Sequence, residues 1–197
     1  IDLYQLHIPD PLTPIEETVR ALDDLVRRGL VRYVGFSNFP AWKVALMLGQ
    51  QKCNGYARFV AAQMYYSLLG RDIEHEIVPF VEDAGIGILV WSPLASGFLS
   101  GKYTRETPVP EESRRKNFQF PPVDVEKGYE VVDVLKEIGQ NHGASPAQVA
   151  IAWILTKPFI SSVIIGANKT QHLEDNLGAV ELKLSANSVE KLDALTN

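Results

Sequence analysis

The sequence predicts an α/β fold built on parallel strands, and three observations carry that reading. Short apolar runs alternate with segments whose apolar residues recur at spacings of three and four, the signatures of strand and helix. Each run after the first is preceded by a helical segment, as parallel pairing requires, because a parallel neighbour is reached only through a crossover. The runs begin roughly 25 to 30 residues apart in the first half of the chain, the size of one unit of an eight-stranded β/α barrel. Five such units are legible in the 197 residues, too few to close a barrel, which takes about 250. A doubly wound open sheet is the alternative, but its dinucleotide fingerprint is absent: Gly85-Ile86-Gly87 is followed by Val90 where a third glycine is needed. Gly97-Phe98-Leu99-Ser100-Gly101-Lys102-Tyr103 is one residue short of a P-loop and lacks its Ser or Thr.

Residues 2–6 read as the first strand. Thr13-Pro14-Ile15-Glu16 then offers an N-cap, a proline at the first helical position and a capping-box glutamate. The helix they open runs to about Gly29, with Ile15, Val19, Leu22, Leu25 and Val26 on one face. Val31 to Phe36 is the second strand and Pro40 to Leu48 the next helix. Phe59 to Ala62 is the third strand. A helix over 72–84 follows with Ile73, Ile77, Phe80 and Val81 on its apolar face, and Gly85 stands where a C-cap is wanted. Ile86 to Val90 is the fourth strand. From Ser92 to Pro122 the chain is rich in Pro, Gly, Ser and charge, longer than an ordinary connection and so a candidate functional loop. Then come a helix over 125–141, a second announced by Ser145-Pro146-Ala147-Gln148 and ending near Thr156, the strand Ser162 to Ile165, and helices over 170–180 and 186–195. No linker divides the chain, so 1–197 reads as a single domain.

Composition narrows the function. With 46% hydrophobic and 22% charged residues the chain can bury a core, and a net charge of -5 disfavours a nucleic-acid groove or an anionic membrane surface. No apolar run reaches membrane-span length and no signal segment opens the sequence. The single cysteine, Cys53, forms neither an intrachain disulfide nor a zinc cluster, which suits a reducing, cytoplasmic setting. His75 lies between Glu74 and Glu76 with no second His or Cys at ligand spacing, so no metal is expected. A small-molecule ligand remains.

In a barrel enzyme the chemistry sits at the carboxyl ends of the strands. Here those ends carry His7, Ser37-Asn38, Gln63, Trp91-Ser92-Pro93 and Gly166-Ala167-Asn168. Four of them offer a neutral hydrogen-bonding group and one an aromatic platform, a set that suits a flat polar ring such as nicotinamide. Singly, each has a plain alternative: His7 as a loop residue, Ser37-Asn38 as a helix cap, Gln63 as a partner for strand backbone, Trp91 as core. Their succession at five strand ends favours a ligand site, with these groups on one rim.

Four segments in order resemble the aldo-keto reductases, in particular the bacterial branch that is also similar to the potassium-channel β subunits. They are Asp2-Leu3-Tyr4-Gln5-Leu6-His7, Val34-Gly35-Phe36-Ser37-Asn38-Phe39, the run from Trp91-Ser92-Pro93-Leu94 to Gly101-Lys102-Tyr103, and Ile165-Gly166-Ala167 through Glu174-Asp175-Asn176-Leu177-Gly178-Ala179. The resemblance implies a (β/α)8 TIM barrel of which this chain supplies strands 4 to 8, the three N-terminal units being absent. It implies hydride transfer from NADPH, or NADH, to an aldehyde or ketone. His7 corresponds to the family's substrate-orienting histidine; Ser37, Asn38 and Gln63 to the residues that hold the nicotinamide carboxamide; and Trp91 to its stacking face. Ser92, Pro93, Leu94, Ala95, Ser96 and Lys102 correspond to the pyrophosphate and adenosine side of the loop. Gly166, Asn168, His172, Asp175 and Asn176 correspond to the last-strand motif for the adenosine phosphate and adenine. His172 departs from the commoner glutamine, and Asp175 from glutamate. Arg114 in the long loop and Lys169 beside the last motif favour the 2'-phosphate of NADPH over NADH, with a solvated charge run Arg114-Arg115-Lys116 as the alternative.

The family's aspartate, tyrosine acid and lysine belong to the first three strands. By resemblance, then, the chain is expected to be inactive alone and to need the missing N-terminal half-barrel as a partner, its two strand edges being open to pairing. The competing readings are a non-catalytic nucleotide-sensing subunit and an inactive half-barrel.

Overall fold

The computed structural model describes residues 1–107 and 120–197, which separate into two units, Ile1–Met64 with Ile73–Leu89 and Tyr65–Asp72 with Val90–Asn197. In the first unit, β1 (Leu3–Leu6), β2 (Tyr33–Ser37), β3 (Phe59–Tyr65) and β4 (Gly87–Trp91) stand side by side in chain order. β1 and β2 pair in parallel with Leu3 opposite Tyr33 and Gln5 opposite Gly35; β2 and β3 pair in parallel with a register shift between Val34 and Gly35. The crossovers are α1 (Ile15–Arg27), α2 (Ala41–Asn54) and α3 (Ile77–Ala84). Their inward residues Val19, Leu22, Val44, Met47, Ile77 and Val81 are buried, as are Val34, Phe36, Phe59 and Ala62 of the strands. The rings of Phe36 and Phe59 meet edge to face at 5.4 Å. Each such side chain contributes roughly 1.5–3 kcal/mol by leaving water, and this apolar face fixes which side of each strand remains for polar work.

Two local expectations fail. Thr13 does not cap α1. The N-cap is Pro14, and the Thr13 hydroxyl instead donates to Asp10 Oδ2 at 2.5 Å while Leu12 N–H donates to Oδ1 at 2.9 Å. These two bonds hold the Asp10 carboxyl below its usual range. The segment expected to be one helix over 72–84 is a 3₁₀ turn, Asp72–Glu74, followed by α3 from Ile77. The irregular backbone at Glu76 takes Ile73 off the helical face, and Val78 rather than Phe80 is buried with Ile77 and Val81. Gly85 does end α3, in the left-handed conformation at φ 67°.

Asp23 is the buried charge of this unit, 4% exposed. It accepts from Arg27 one helical turn on and from Ala57 N–H at 2.8 Å, so it ties α1 to the start of β3. Burial pushes its carboxyl up, but the Arg27 guanidinium and the Ala57 amide together outweigh it and hold the group below the ordinary carboxylate value. A depressed folded-state pKa contributes stability above the unfolded value and loses it as pH falls through the folded one. Asp23→Ala is therefore expected to cost about 2 kcal/mol at neutral pH, chiefly by leaving the Ala57 amide unpaired. The gap between urea melts of parent and variant should narrow as pH falls below about 4 and through the depressed folded-state value; an equal gap at neutral and at low pH would show that the carboxylate charge is not what stabilises the join.

The second unit holds the end of β4, β5 (Ile160–Val163) and the helices α4 (Val125–His142), α5 (Pro146–Leu155), α6 (Thr170–Leu177) and α7 (Ala186–Thr196). β5 begins two residues earlier than the apolar run suggests, yet pairing continues past its end, since Ile164 N–H donates to Val90 O at 2.8 Å. The capping box of α5 forms as the sequence indicates: Ser145 Oγ accepts from Gln148 N–H and Gln148 Oε1 from Ser145 N–H. Trp153 is fully buried, stacked on Tyr66, and donates to Asp193 Oδ1 at 3.0 Å. Lys157 meets the same carboxylate at 2.7 and 2.9 Å, which docks α7 on α5. Among the described residues no helix is long and apolar enough to cross a membrane.

Candidate cofactor site

In the first unit the polar groups gather at the carboxyl ends of the strands. Asn38 follows β2 with φ 59°, a left-handed conformation that a non-glycine residue keeps only when its surroundings hold it. They do: its Nδ2 donates to His7 O at 3.0 Å and to Ser37 Oγ at 2.9 Å. One side chain thus ties the loop after β1 to the loop after β2 and commits its amide nitrogen to the protein. Ser37 is buried, whereas His7 and Asn38 are exposed. Gln63 lies within β3, not after it, opposite Ser37 in register, and its Nε2 donates to Gln5 Oε1 at 3.0 Å. His7, Ser37, Asn38 and Gln63 are therefore brought together by the sheet itself.

In the second unit a cavity of about 710 Å³ opens beside the end of β4 and the chain after β5. Trp91, Ser92, Pro93, Leu94, Ser96 and Lys102 line it from one side, and Gly166, Asn168, His172 and Asn176 from the other. The wall on the β4 side is a strained turn: Ser92, Ala95, Ser96 and Gly97 all have positive φ, between 47° and 83°. The three non-glycine residues cost of order 1 kcal/mol each in this conformation and persist where the surroundings over-determine them. Here Ala95 is fully buried, Ser92 Oγ accepts from Ser96 N–H at 3.0 Å, and Ser96 Oγ donates to Phe120 O at 2.7 Å. Gly97 serves twice, by taking the left-handed turn and by making room: a Cβ there would stand 3.0 Å from Lys102 Nζ. The opposite wall ends in the N-terminus of α6, whose N-cap Lys169 makes no side-chain cap bond. Asn168 Oδ1 and His172 Nδ1, 3.1 Å apart, span its first turn.

Among the described residues the lining includes Lys102 and no carboxylate, which suits an anionic ligand beside a helix N-terminus. Trp91 supplies an aromatic wall. Its ring lies 5.1 Å from Tyr65 and is stacked with Phe120 at 5.6 Å.

Two residues of the expected set lie off this wall. Ala95 is buried behind it, and the Asp175 carboxylate accepts from Ser145 Oγ at 2.9 Å while its backbone carbonyl accepts from Gln148. Arg114 lies outside the described residues. Sequence reasoning missed Phe120, Ile164 and Ile165, which line the cavity, and Gln5. The strict alternation of β1 could have placed Gln5 on the same face as His7; nothing local marks Phe120.

The family model of the aldo/keto reductases matches residues 1–197. Versiconal hemiacetal acetate reductase of Aspergillus parasiticus is 31% identical over 98% of this chain and 56% of its own length. A putative voltage-gated potassium channel β subunit of Schizosaccharomyces pombe is 34% identical over the whole of this chain and 59% of its own. A thermostable aldo-keto reductase whose crystal structure holds the inhibitor epalrestat superposes with a TM-score of 0.75 at 31% identity, covering 99% of this chain and 60% of that one. The chain spans about half the length of the curated relatives it matches, between 52% and 59%. Its α/β architecture with a parallel sheet and its full-length family match place it plainly: the chain belongs to the aldo/keto reductase family.

Proposed function

We propose that this chain carries the cofactor-binding part of an NADPH-dependent carbonyl reductase. The observation that supports it best is the cavity of the second unit, which pairs an aromatic wall, Trp91, with a lysine and a helix N-terminus and, among the described residues, has no carboxylate in its lining. That is the donor set a nicotinamide dinucleotide with its phosphates asks for. In this reading Lys102 and the turn Ser92 to Gly97 meet the pyrophosphate, Gly166, Asn168, His172 and Asn176 meet the adenosine end, and Trp91 stacks on the nicotinamide. Within the first unit, the family resemblance assigns Ser37, Asn38 and Gln63 to a nicotinamide carboxamide and His7 to the carbonyl of an aldehyde or ketone. Asp175 supports from behind by fixing the start of α5 to α6. The bound nicotinamide supplies the hydride. The chain's own groups bind it, orient the carbonyl and exclude water.

Titration with NADPH is expected to quench the fluorescence of Trp91. Trp42, exposed on α2, and Trp153, buried beneath Tyr66, report as bystanders. In Trp91→Phe most of the quench should disappear; an unchanged quench would remove Trp91 from the site.

A further inference from the structure

The bond between Gln5 and Gln63 spans three strands. Gln5 lies in β1 opposite Gly35 of β2, and its side chain passes over that glycine to reach Gln63 of β3. Residue 35 has to be glycine for this to happen. A Cβ there would stand 2.7 Å from Ala61 O and 3.2 Å from Gln5 Cγ, closing the path. The register shift at Val34/Gly35 sits at the same point.

The arrangement carries a cost on its other side. Gln5 Nε2 is buried and has no hydrogen-bond partner, an expense that native proteins usually avoid. Methionine has the same length and would bury no amide donor at residue 5, so packing does not account for an amide here. What the amide adds is an acceptor, Oε1, aimed at Gln63 Nε2. Accepting that bond fixes the Gln63 carboxamide: one N–H points to Gln5, and Oε1 with the remaining N–H is presented to a ligand. Without it the amide can turn over and exchange its donor and acceptor faces.

We infer that Gln5 is a positioning residue, which sets the carboxamide of Gln63 in the one orientation that pairs with the carboxamide of a nicotinamide cofactor. The inference rests on the proposed nicotinamide contact of Gln63. It makes Gln5 act on the nicotinamide end of the ligand alone, at the expense of a buried unsatisfied donor.

The test compares calorimetric affinities of the 197-residue chain for NADPH and for adenosine 2',5'-bisphosphate, which lacks the nicotinamide. Gln5→Met is expected to weaken NADPH about tenfold, as loss of one oriented hydrogen bond would, and to leave the bisphosphate unchanged. Its thermal midpoint should equal or exceed the parent's, because the unsatisfied donor is gone. Gln5→Glu, which keeps an acceptor at the same place, should retain the parent preference for NADPH. Equal NADPH affinity in parent and Gln5→Met would overturn the inference, as would a Gln5→Met protein that is destabilised and loses both ligands alike. Gln63→Ala separates the two levels. If it too leaves NADPH unchanged, the nicotinamide contact of Gln63 itself is wrong; if it alone weakens NADPH, the contact stands and only the role of Gln5 falls.

Discussion

Given NADPH and a reactive aromatic aldehyde, the 197-residue chain is expected to bind the cofactor and to oxidise it no faster than the solution background. Reduction of a carbonyl needs a proton on the oxygen as hydride reaches the carbon, and a positioned acid contributes roughly 100- to 10,000-fold. The resemblance assigns that acid to a tyrosine with a lysine beside it, and the four tyrosines of the second unit, among the chain's seven, are differently engaged. Tyr66 is fully buried against Trp153. Tyr103 and Tyr129 are buried beside Phe98, and Lys102 lies over the ring of Tyr103, 4.8 Å from its centroid, where it serves the ring face rather than the hydroxyl. Tyr65 is next to Trp91, but its hydroxyl is 2.8 Å from Ser67 Oγ, itself fully buried. The assay follows NADPH absorbance with and without aldehyde, beside a full-length family member. Turnover at a comparable rate would show that the acid lies among these residues, and Tyr65→Phe would then identify or acquit the nearest of them.

Much of this was legible in the chain because the signals were local and redundant. The helical face of α1, the left-handed glycine after α3 and the capping box of α5 each follow from spacing or from one residue's conformational freedom, and the structure repeats them. The exits of β1, β2 and β4 were legible for the same reason: once the apolar runs are found, the residue at each exit is fixed by counting to within one position. Failures came where another partner outbid the expected one. Thr13 has the chemistry of a cap, but Asp10 took its hydroxyl. Gln63 reads as the residue after a strand, yet it pairs with Ser37 of β2, and β3 runs on to Tyr65 with Gln63 inside it. Asp175 reads as a ligand contact by its place in a motif, while its carboxylate is held by Ser145, thirty residues away in sequence. Gln5 was quoted only as part of a motif, because its meaning lies in a bond across two strands that no spacing rule announces.

Lys102→Ala is expected to weaken NADPH binding by about 10- to 100-fold, the scale of one charge-assisted hydrogen bond lost from a partly enclosed site. Three features of the structure make this lysine the one to lose. Among the described residues it is the lysine of the cavity lining, no carboxylate shares that lining, and the left-handed turn at Gly97 leaves room for its ammonium. Lys157 provides the contrast: Asp193 and the Trp153 ring take up its charge, so Lys157→Ala should lower stability and leave cofactor affinity alone. Because the interaction is ionic, raising salt should weaken NADPH binding by the parent and do so less for Lys102→Ala. Lys102→Arg should recover part of the affinity, and Gly97→Ala should lose much of it by straining the turn and crowding the ammonium. Adenosine 2',5'-bisphosphate has phosphates but no pyrophosphate bridge to nicotinamide, so it should feel the lysine less than NADPH does if Lys102 meets the pyrophosphate. Calorimetric titrations at two salt concentrations measure all of these. A Lys102→Ala protein with parental affinity and parental salt dependence would show that this cavity is not where the phosphates bind.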